Sequence, residues 1–101
     1  MNQLQQLMKQ AQKMQVKVAR VQEEMAEHRE EAAAGGGVVT VGANGKGELT
    51  DVVISAEVAG DVEMLQDLVL AAANEALRKC REATEREMKK ATGGMNLPGL
   101  A

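Results

Sequence analysis

The sequence has no aromatic residue: Phe, Tyr and Trp are all absent from its 101 positions. Binders of single-stranded nucleic acid with RRM or OB folds stack bases on aromatic side chains, so that mode of binding is excluded. Anchoring at a membrane surface by a Trp or Tyr belt is disfavoured for the same reason. The core must therefore be aliphatic, built from Val, Leu, Ile, Ala and the seven Met residues.

Cysteine and histidine are almost as scarce, with one residue of each. A single cysteine excludes an intramolecular disulfide bond, and one Cys with one His does not supply the ligands of a typical zinc site. No apolar run approaches the roughly 20 residues that cross a bilayer, and Gln and Lys interrupt the N-terminal stretch where a signal peptide would be continuous. The sequence therefore predicts a cytoplasmic protein that uses no metal or cofactor and binds no membrane.

The net charge of −3 is an average over segments of opposite sign. Residues 1–22 carry +4 and residues 76–101 carry +3, whereas residues 23–31, 32–60 and 61–75 carry −4, −2 and −4. Both ends of the chain are basic and its middle is acidic. An anionic partner is therefore compatible with the sequence despite the negative total.

Apolar residues near the N-terminus alternate in spacings of three and four, which is the heptad pattern of an amphipathic helix. With no Gly or Pro before Gly35, the pattern predicts a helix from about Asn2 to about Glu30, with His28 partly buried at the end of the apolar stripe. The residues that we expect to pack against another helix or a second copy are Leu4, Leu7, Ala11, Met14, Val18 and Val21.

The same helix carries a set of cations on a different side. Lys9, Lys13, Lys17 and Arg20 fall within an arc of roughly 80°, about 130° away from the apolar stripe. One interpretation is a solvated face; the other is a ridge that contacts phosphate, because residues 1–22 contain no acid. A membrane-surface helix or a transit peptide is disfavoured, since Phe, Trp and Ser are missing from this segment.

The middle of the chain is predicted to form a β-hairpin. Stretches of β-branched residues at 38–41 and 49–55 flank the turn signal NGKG at 44–47. A four-residue loop would set Val39 opposite Val52, and other registers remain open. Val41 and Ile54 would then share the face of Val39 and Val52. Residues 29–34 are a possible further strand, although their alanines have weak β-propensity.

The glycines of this region do not form a phosphate-binding motif. Gly45-Lys46 is followed by another glycine and a strand, whereas the Walker pattern needs Ser or Thr leading into a helix. We therefore expect Gly45 and Gly47 to serve turn geometry.

A second helix is predicted after Gly60. Asp61 is the expected N-cap, apolar residues follow at helical spacing, and Gly93-Gly94 ends the helix. Cys80 lies on the apolar stripe and is expected to be buried. Five i,i+4 spacings of opposite charge are expected to neutralise most cations of this helix, which would leave Lys90 as the least paired. The pairs are Glu75–Lys79, Arg78–Glu82, Arg81–Glu85, Glu82–Arg86 and Glu85–Lys89.

These elements make one domain over residues 1–101. It consists of a basic amphipathic helix (1–31), an antiparallel sheet (32–56), a second helix (61–91) and a Gly-rich tail (92–101). A helix of about 28 residues is about 42 Å long, whereas a compact chain of about 100 residues has a radius of gyration near 13 Å. The helices should therefore overhang the sheet and leave the heptad stripe for a second chain to cover, which predicts a homodimer.

Four segments together resemble the YbaB/EbfC family of bacterial nucleoid-associated proteins. They are LMKQAQKMQ (7–15), GGGVVTVGANGKGEL (35–49), DVEMLQDLVLAAANEALRK (61–79) and GGMNLPGL (93–100). The resemblance implies an α+β fold of order α-β-β-β-α, a small antiparallel sheet with two long helices, and a tweezer-like homodimer. It also implies a protein without enzymatic activity that binds double-stranded DNA and organises the nucleoid, and some members of the family act in gene regulation.

Charge geometry selects the residues that would contact DNA, with the resemblance supplying only the class of ligand. They are Lys9, Lys13, Lys17 and Arg20, assisted by Lys89 and Lys90. The alternative is a protein-interaction adaptor that uses its heptad helix without binding DNA directly. An enzyme with a small-molecule substrate is disfavoured, because no Cys–His, Ser–His or carboxylate pair has a spacing suited to catalysis.

Overall fold

The structure, a computed structural model, describes residues 2–94. Two long helices enclose three strands along the chain, and short 3-10 turns follow the first and third strands. The elements are α1 (Gln3–Glu27), β1 (Arg29–Ala34), β2 (Val39–Asn44), β3 (Leu49–Ile54) and α2 (Val62–Ala91). The predicted α+β architecture is therefore confirmed, and the predicted tail from Met95 onward lies outside the described residues.

Helix α1 begins where the sequence predicts and ends earlier. Asn2 is its N-cap and accepts a hydrogen bond from the N–H of Gln5 at 2.9 Å. The helix ends at Glu27, because His28 turns into an extended conformation and the next six residues form strand β1. The weak β-propensity of β1 is overridden by its pairing with β2, which runs from Arg29 opposite Asn44 to Ala34 opposite Val39.

The sheet is antiparallel in the order β1-β2-β3. Val39 lies opposite Ile54 and Val41 opposite Val52, so the expected pairing of Val39 with Val52 is wrong by two positions. The four side chains nevertheless share one face, as predicted. The loop contributes one position, because Ala43 lies opposite Leu49 instead of Glu48, and an irregularity between Gly42 and Ala43 contributes the other.

Helix α2 has the predicted ends. The carboxylate of Asp61 accepts a hydrogen bond from the N–H of Met64 at 3.1 Å, which caps the first turn. The helix runs to Ala91, and beyond it Gly93 and Gly94 take positive φ angles of 65° and 85°. Lys89 and Lys90 lie in the last turn, where cations favour the helix dipole.

The core lies between α2 and one face of the sheet, which we call the inner face. Helix α2 packs chiefly against β1 and β2, and β3 forms the open edge of the sheet beyond the helix. The buried side chains are small, which brings helix and sheet close together without aromatic residues. They are Ala32, Val39, Val41, Ala43, Val58, Ala72, Ala76 and Cys80. Cys80 is buried as predicted, and burial raises the pKa of its thiol.

Helix α2 runs in the opposite direction to α1 and extends along it. Leu68 lies beside Gly35, and the ammonium of Lys79 donates to the carbonyl oxygen of Glu31 at 2.8 Å. Further along, Met88 lines the same cavity as Gln22 of α1. The chain measures 70 × 19 × 17 Å with a radius of gyration of 19.0 Å, against about 13 Å for a compact chain of this length. The predicted overhang is thus confirmed, and the helices form an arm beyond the sheet.

Candidate nucleic-acid interface

The basic ridge of α1 consists of Lys9, Lys13, Lys17 and Arg20, and all four side chains are exposed. The three lysines are separated by about 6 Å steps along the helix axis, because each step is four residues. No acid occurs in α1 before Glu23. Within residues 2–94, the side chains of Lys13, Lys17 and Arg20 form no hydrogen bond or ion pair, so their charges face solvent.

Two cations of α2 that lie beside the sheet, Arg78 and Lys79, are held by neighbouring groups. The guanidinium of Arg78 donates to Glu82 at 2.5 Å and also to Glu75. These contacts raise the pKa of Arg78, and its hydrogen bond lowers the pKa of Glu75. Lys79 donates to the backbone of Glu31. These two cations therefore serve the body of the protein and are not candidates for binding an anion.

The end of α2 differs from the sequence prediction. Lys90 pairs with Glu87 at 3.2 Å, so the expectation that Lys90 is the least paired cation is wrong. Arg81, Arg86 and Lys89 have no ion pair in the part of the chain that the structure describes. Lys90 pairs with a carboxylate three residues earlier, and Glu82 pairs with Arg78 instead of Arg86. The pairing of exposed charges is set by rotamers that sequence spacing alone does not specify.

The predicted α1 stripe is covered over only part of its length. Met14, Val18 and Val21 are half-buried, and Met25 beyond them is buried. Leu4 and Leu7 are 64% and 61% exposed, because they lie beyond the reach of α2. The outer part of the stripe thus has no cover within one described chain, and packing against a second chain stays a prediction.

A cavity of about 480 Å³ opens at the foot of the arm, between Gln22 of α1, the β2–β3 turn and α2. Cys80 and Met88 contribute apolar walls, and two exposed cations, Lys46 and Arg81, stand at its rim. Lys46 and Arg81 were not among the candidate DNA-binding residues predicted from the sequence. They are 35 positions apart in the chain, and no local pattern signals that the fold brings them together.

The single histidine and the single cysteine do not form part of a metal-binding cluster among residues 2–94. His28 is half-buried, and its Nε2 lies 2.5 Å from a carboxylate oxygen of Glu30. Among residues 2–94 no group of three or more His, Cys, Asp or Glu side chains is placed to hold a metal ion. Over the same residues, neither helix is long and apolar enough to cross a membrane.

The chain is similar to proteins in several bacteria. The model of the YbaB/EbfC DNA-binding family matches residues 1–95. A nucleoid-associated protein of Clostridium novyi (strain NT) is 56% identical over 93% of this chain and 84% of its own length. Another, from Moorella thermoacetica, is 54% identical over 99% of this chain and 98% of its own length. The crystal structure of the uncharacterized protein HP0035 from Helicobacter pylori matches with a TM-score of 0.64 and 27% identity, over 72% of this chain and 87% of that chain.

Proposed function

The chain belongs to the YbaB/EbfC DNA-binding family, and from that membership we propose that it binds double-stranded DNA as a homodimer in the bacterial cytoplasm. Bound DNA would be organised within the nucleoid, with effects on gene regulation. The protein would act by binding alone and not as an enzyme. The observation that carries the proposal is the row of four exposed cations on α1, in a stretch of sequence that contains no acidic residue.

The charge distribution supports contact with phosphates. Residues 2–22 and 81–94 form the arm and carry a net positive charge, whereas residues 23–80 are net acidic. The acidic body would be repelled by DNA, so the duplex would approach the arm. Phosphate contacts fix a protein on the duplex and carry no sequence information directly. We therefore propose binding with limited sequence preference.

The test is fluorescence anisotropy with labelled duplex and single-stranded DNA over a salt series. Four cations of one arm neutralising four phosphates correspond to a log–log slope of about −3 to −4 against salt, and two engaged arms to about twice that. Changing Lys9, Lys13 and Lys17 together to Glu should weaken duplex binding by at least about 100-fold at low salt. The dimer should survive, because these side chains lie away from the apolar stripe.

A matched control changes three other exposed cations, Lys46, Arg81 and Arg86, to Glu, which alters the net charge by the same amount. We expect this control to retain most of the affinity for duplex DNA. An equal loss in both variants would show that net charge, and not the ridge on α1, governs binding.

The exposed Leu4 and Leu7 favour the second candidate function, a protein-interaction adaptor. A helix partner held by these side chains would bind through apolar contacts and tolerate salt. Absence of duplex binding at low salt would contradict DNA binding and favour the adaptor.

A further inference from the structure

The side of α1 that carries the basic ridge changes sign before the helix ends. Glu23, Glu24 and Glu27 fall together with the four cations of the ridge within an arc of about 120° around the helix axis. Arg20 and Glu24 are four residues apart, which is about 6 Å along that axis. One face of one helix is therefore positive from Lys9 to Arg20 and negative from Glu23 to Glu27.

The three glutamates have no neighbour that accounts for their position. All three side chains are exposed, and within residues 2–94 none of them forms a hydrogen bond or an ion pair. Arg20 is three and four residues away from Glu23 and Glu24, and it pairs with neither. These carboxylates therefore do not hold α1 to the rest of the fold.

The placement of the glutamates is also unfavourable for the helix that carries them. They lie toward the C-terminal end of α1, where the helix dipole favours cations, and the last turn contains no basic residue. Glu23 and Glu27 are like charges at i,i+4 spacing, which destabilises a helix further. Such departures from local preference are expected at functional positions.

We infer that Glu23, Glu24 and Glu27 are positioning residues that end the DNA-binding ridge and confine the duplex to the outer part of the arm. The inference rests on the proposed function and specifies how the duplex lies on that site. From Arg20 to these glutamates is about 10 Å or less along the axis, which does not exceed the Debye length of about 10 Å at 0.1 M salt. Phosphates that approach the body beyond Arg20 would therefore be repelled.

The length of the ridge then sets the direction of the duplex. Lys9 and Arg20 are about 17 Å apart along the helix axis, whereas one turn of duplex is about 34 Å long. A duplex running along α1 toward the body would carry its next phosphates over the three glutamates. A duplex that crosses α1 presents to the ridge only the phosphates that flank one groove, since the major groove is about 12 Å wide. The duplex should therefore cross the arm.

Fluorescence anisotropy with a labelled duplex and the full chain tests the inference. Changing Glu23, Glu24 and Glu27 together to Gln should tighten duplex binding about tenfold at low salt, because three repulsions of short range are removed. The gain should shrink as the salt concentration rises. A variant that failed to fold would bind more weakly, so misfolding does not produce the expected gain.

The matched control neutralises three acids at the end of the body that is remote from the arm, Glu57, Glu63 and Asp67. They are exposed, form no ion pair within residues 2–94 and alter the net charge by the same amount. Asp67 is about 21 Å along α2 from Arg81, which lies at the foot of the arm. We expect this control to change the affinity by less than about twofold, because the distance exceeds two Debye lengths at 0.1 M salt.

A second variant changes the same three glutamates of α1 to Lys and so extends the ridge toward the body. Additional phosphates would be neutralised, and the log–log slope against salt should steepen by about 2 to 3, whereas the Gln variant should keep the slope of wild type. A Gln variant that binds no more tightly than its control, or a Lys variant with the slope of wild type, overturns the inference and leaves DNA binding by the ridge standing. Absence of duplex binding by wild type at low salt overturns both.

Discussion

Gly45 illustrates how much a single position depends on distant parts of the chain. Its N–H donates to the carbonyl oxygen of His28 at 3.1 Å, and a Cβ here would overlap the carbonyl group of Met25. The NGKG pattern correctly predicts the turn, and Gly47 takes the positive φ of 82° that this turn needs. Gly45 serves another purpose, the close approach of the turn to the end of α1, which lies about 20 residues earlier.

Replacing Gly45 with Ala should therefore destabilise the protein by about 1–3 kcal/mol, because the turn and the end of α1 would have to move apart. Gly60→Ala is the control, since a Cβ at Gly60 meets no atom within 4 Å. Urea unfolding followed by circular dichroism measures both. Equal stability of the two variants would mean that the contact with α1 is not a constraint on this position.

At the scale of elements, β1 and β3 are joined across β2 by a pair of side chains. Arg29 of β1 and Asp51 of β3 meet over Gly42, and a Cβ at Gly42 would overlap both groups. Arg29 also contacts Glu31 at 3.0 Å. The hydrogen bond with Arg29 holds the pKa of Asp51 below its usual range, and the same contact raises the pKa of Arg29.

A carboxylate whose pKa is lower in the folded than in the unfolded state stabilises the fold at pH values above the unfolded-state pKa. This stabilisation is lost as the pH falls through the folded-state pKa. Asp51→Asn should thus be less stable than wild type near pH 7, and the difference should shrink below about pH 4. The effect is expected to be small, since both partners are substantially exposed.

The matched control for this pH dependence is Asp67→Asn on α2, where the described residues provide no ion pair. Thermal unfolding over a pH series compares the two variants with wild type. A deficit of Asp51→Asn that stays constant from pH 7 to pH 3 would contradict the linkage.

At the scale of the whole molecule, shape and charge are arranged along the same axis. Antiparallel helices place the two basic ends of the sequence together in the arm, and the acidic middle forms the body. The net charge of −3 is therefore the sum of a positively charged arm and a more strongly negative body. The length of 70 Å results from α2 spanning both the sheet and the lower part of α1.

The arm should persist in a single chain. Small-angle X-ray scattering of the single chain, isolated at low concentration by size-exclusion chromatography, should give a radius of gyration near 19 Å. A compact globule of this length would give about 13 Å. A value close to the lower figure would show that the arm folds back onto the body and that the elongated shape needs a partner.

Much of the fold and of the candidate site follows from local physics that the sequence determines by itself. The periodicity of apolar residues predicts both helices, and Asp61 is correctly predicted as the N-cap of the second. The turn residues NGKG predict the position of the hairpin. The basic ridge of α1 is equally predictable from the sequence, because the angular position of a side chain on a helix depends only on its residue number.

The tertiary structure alone decided everything that depends on which segments meet. Strand β1 forms because β2 pairs with it, and the register of β3 follows from the length of the turn together with a local irregularity. Lys46 and Arg81 line one cavity because the turn packs on α2. The offset of α2 from β3 likewise leaves Leu70 and Val52 exposed. These features arise from contacts between residues far apart in sequence, and their free energies depend on distances that no local pattern contains.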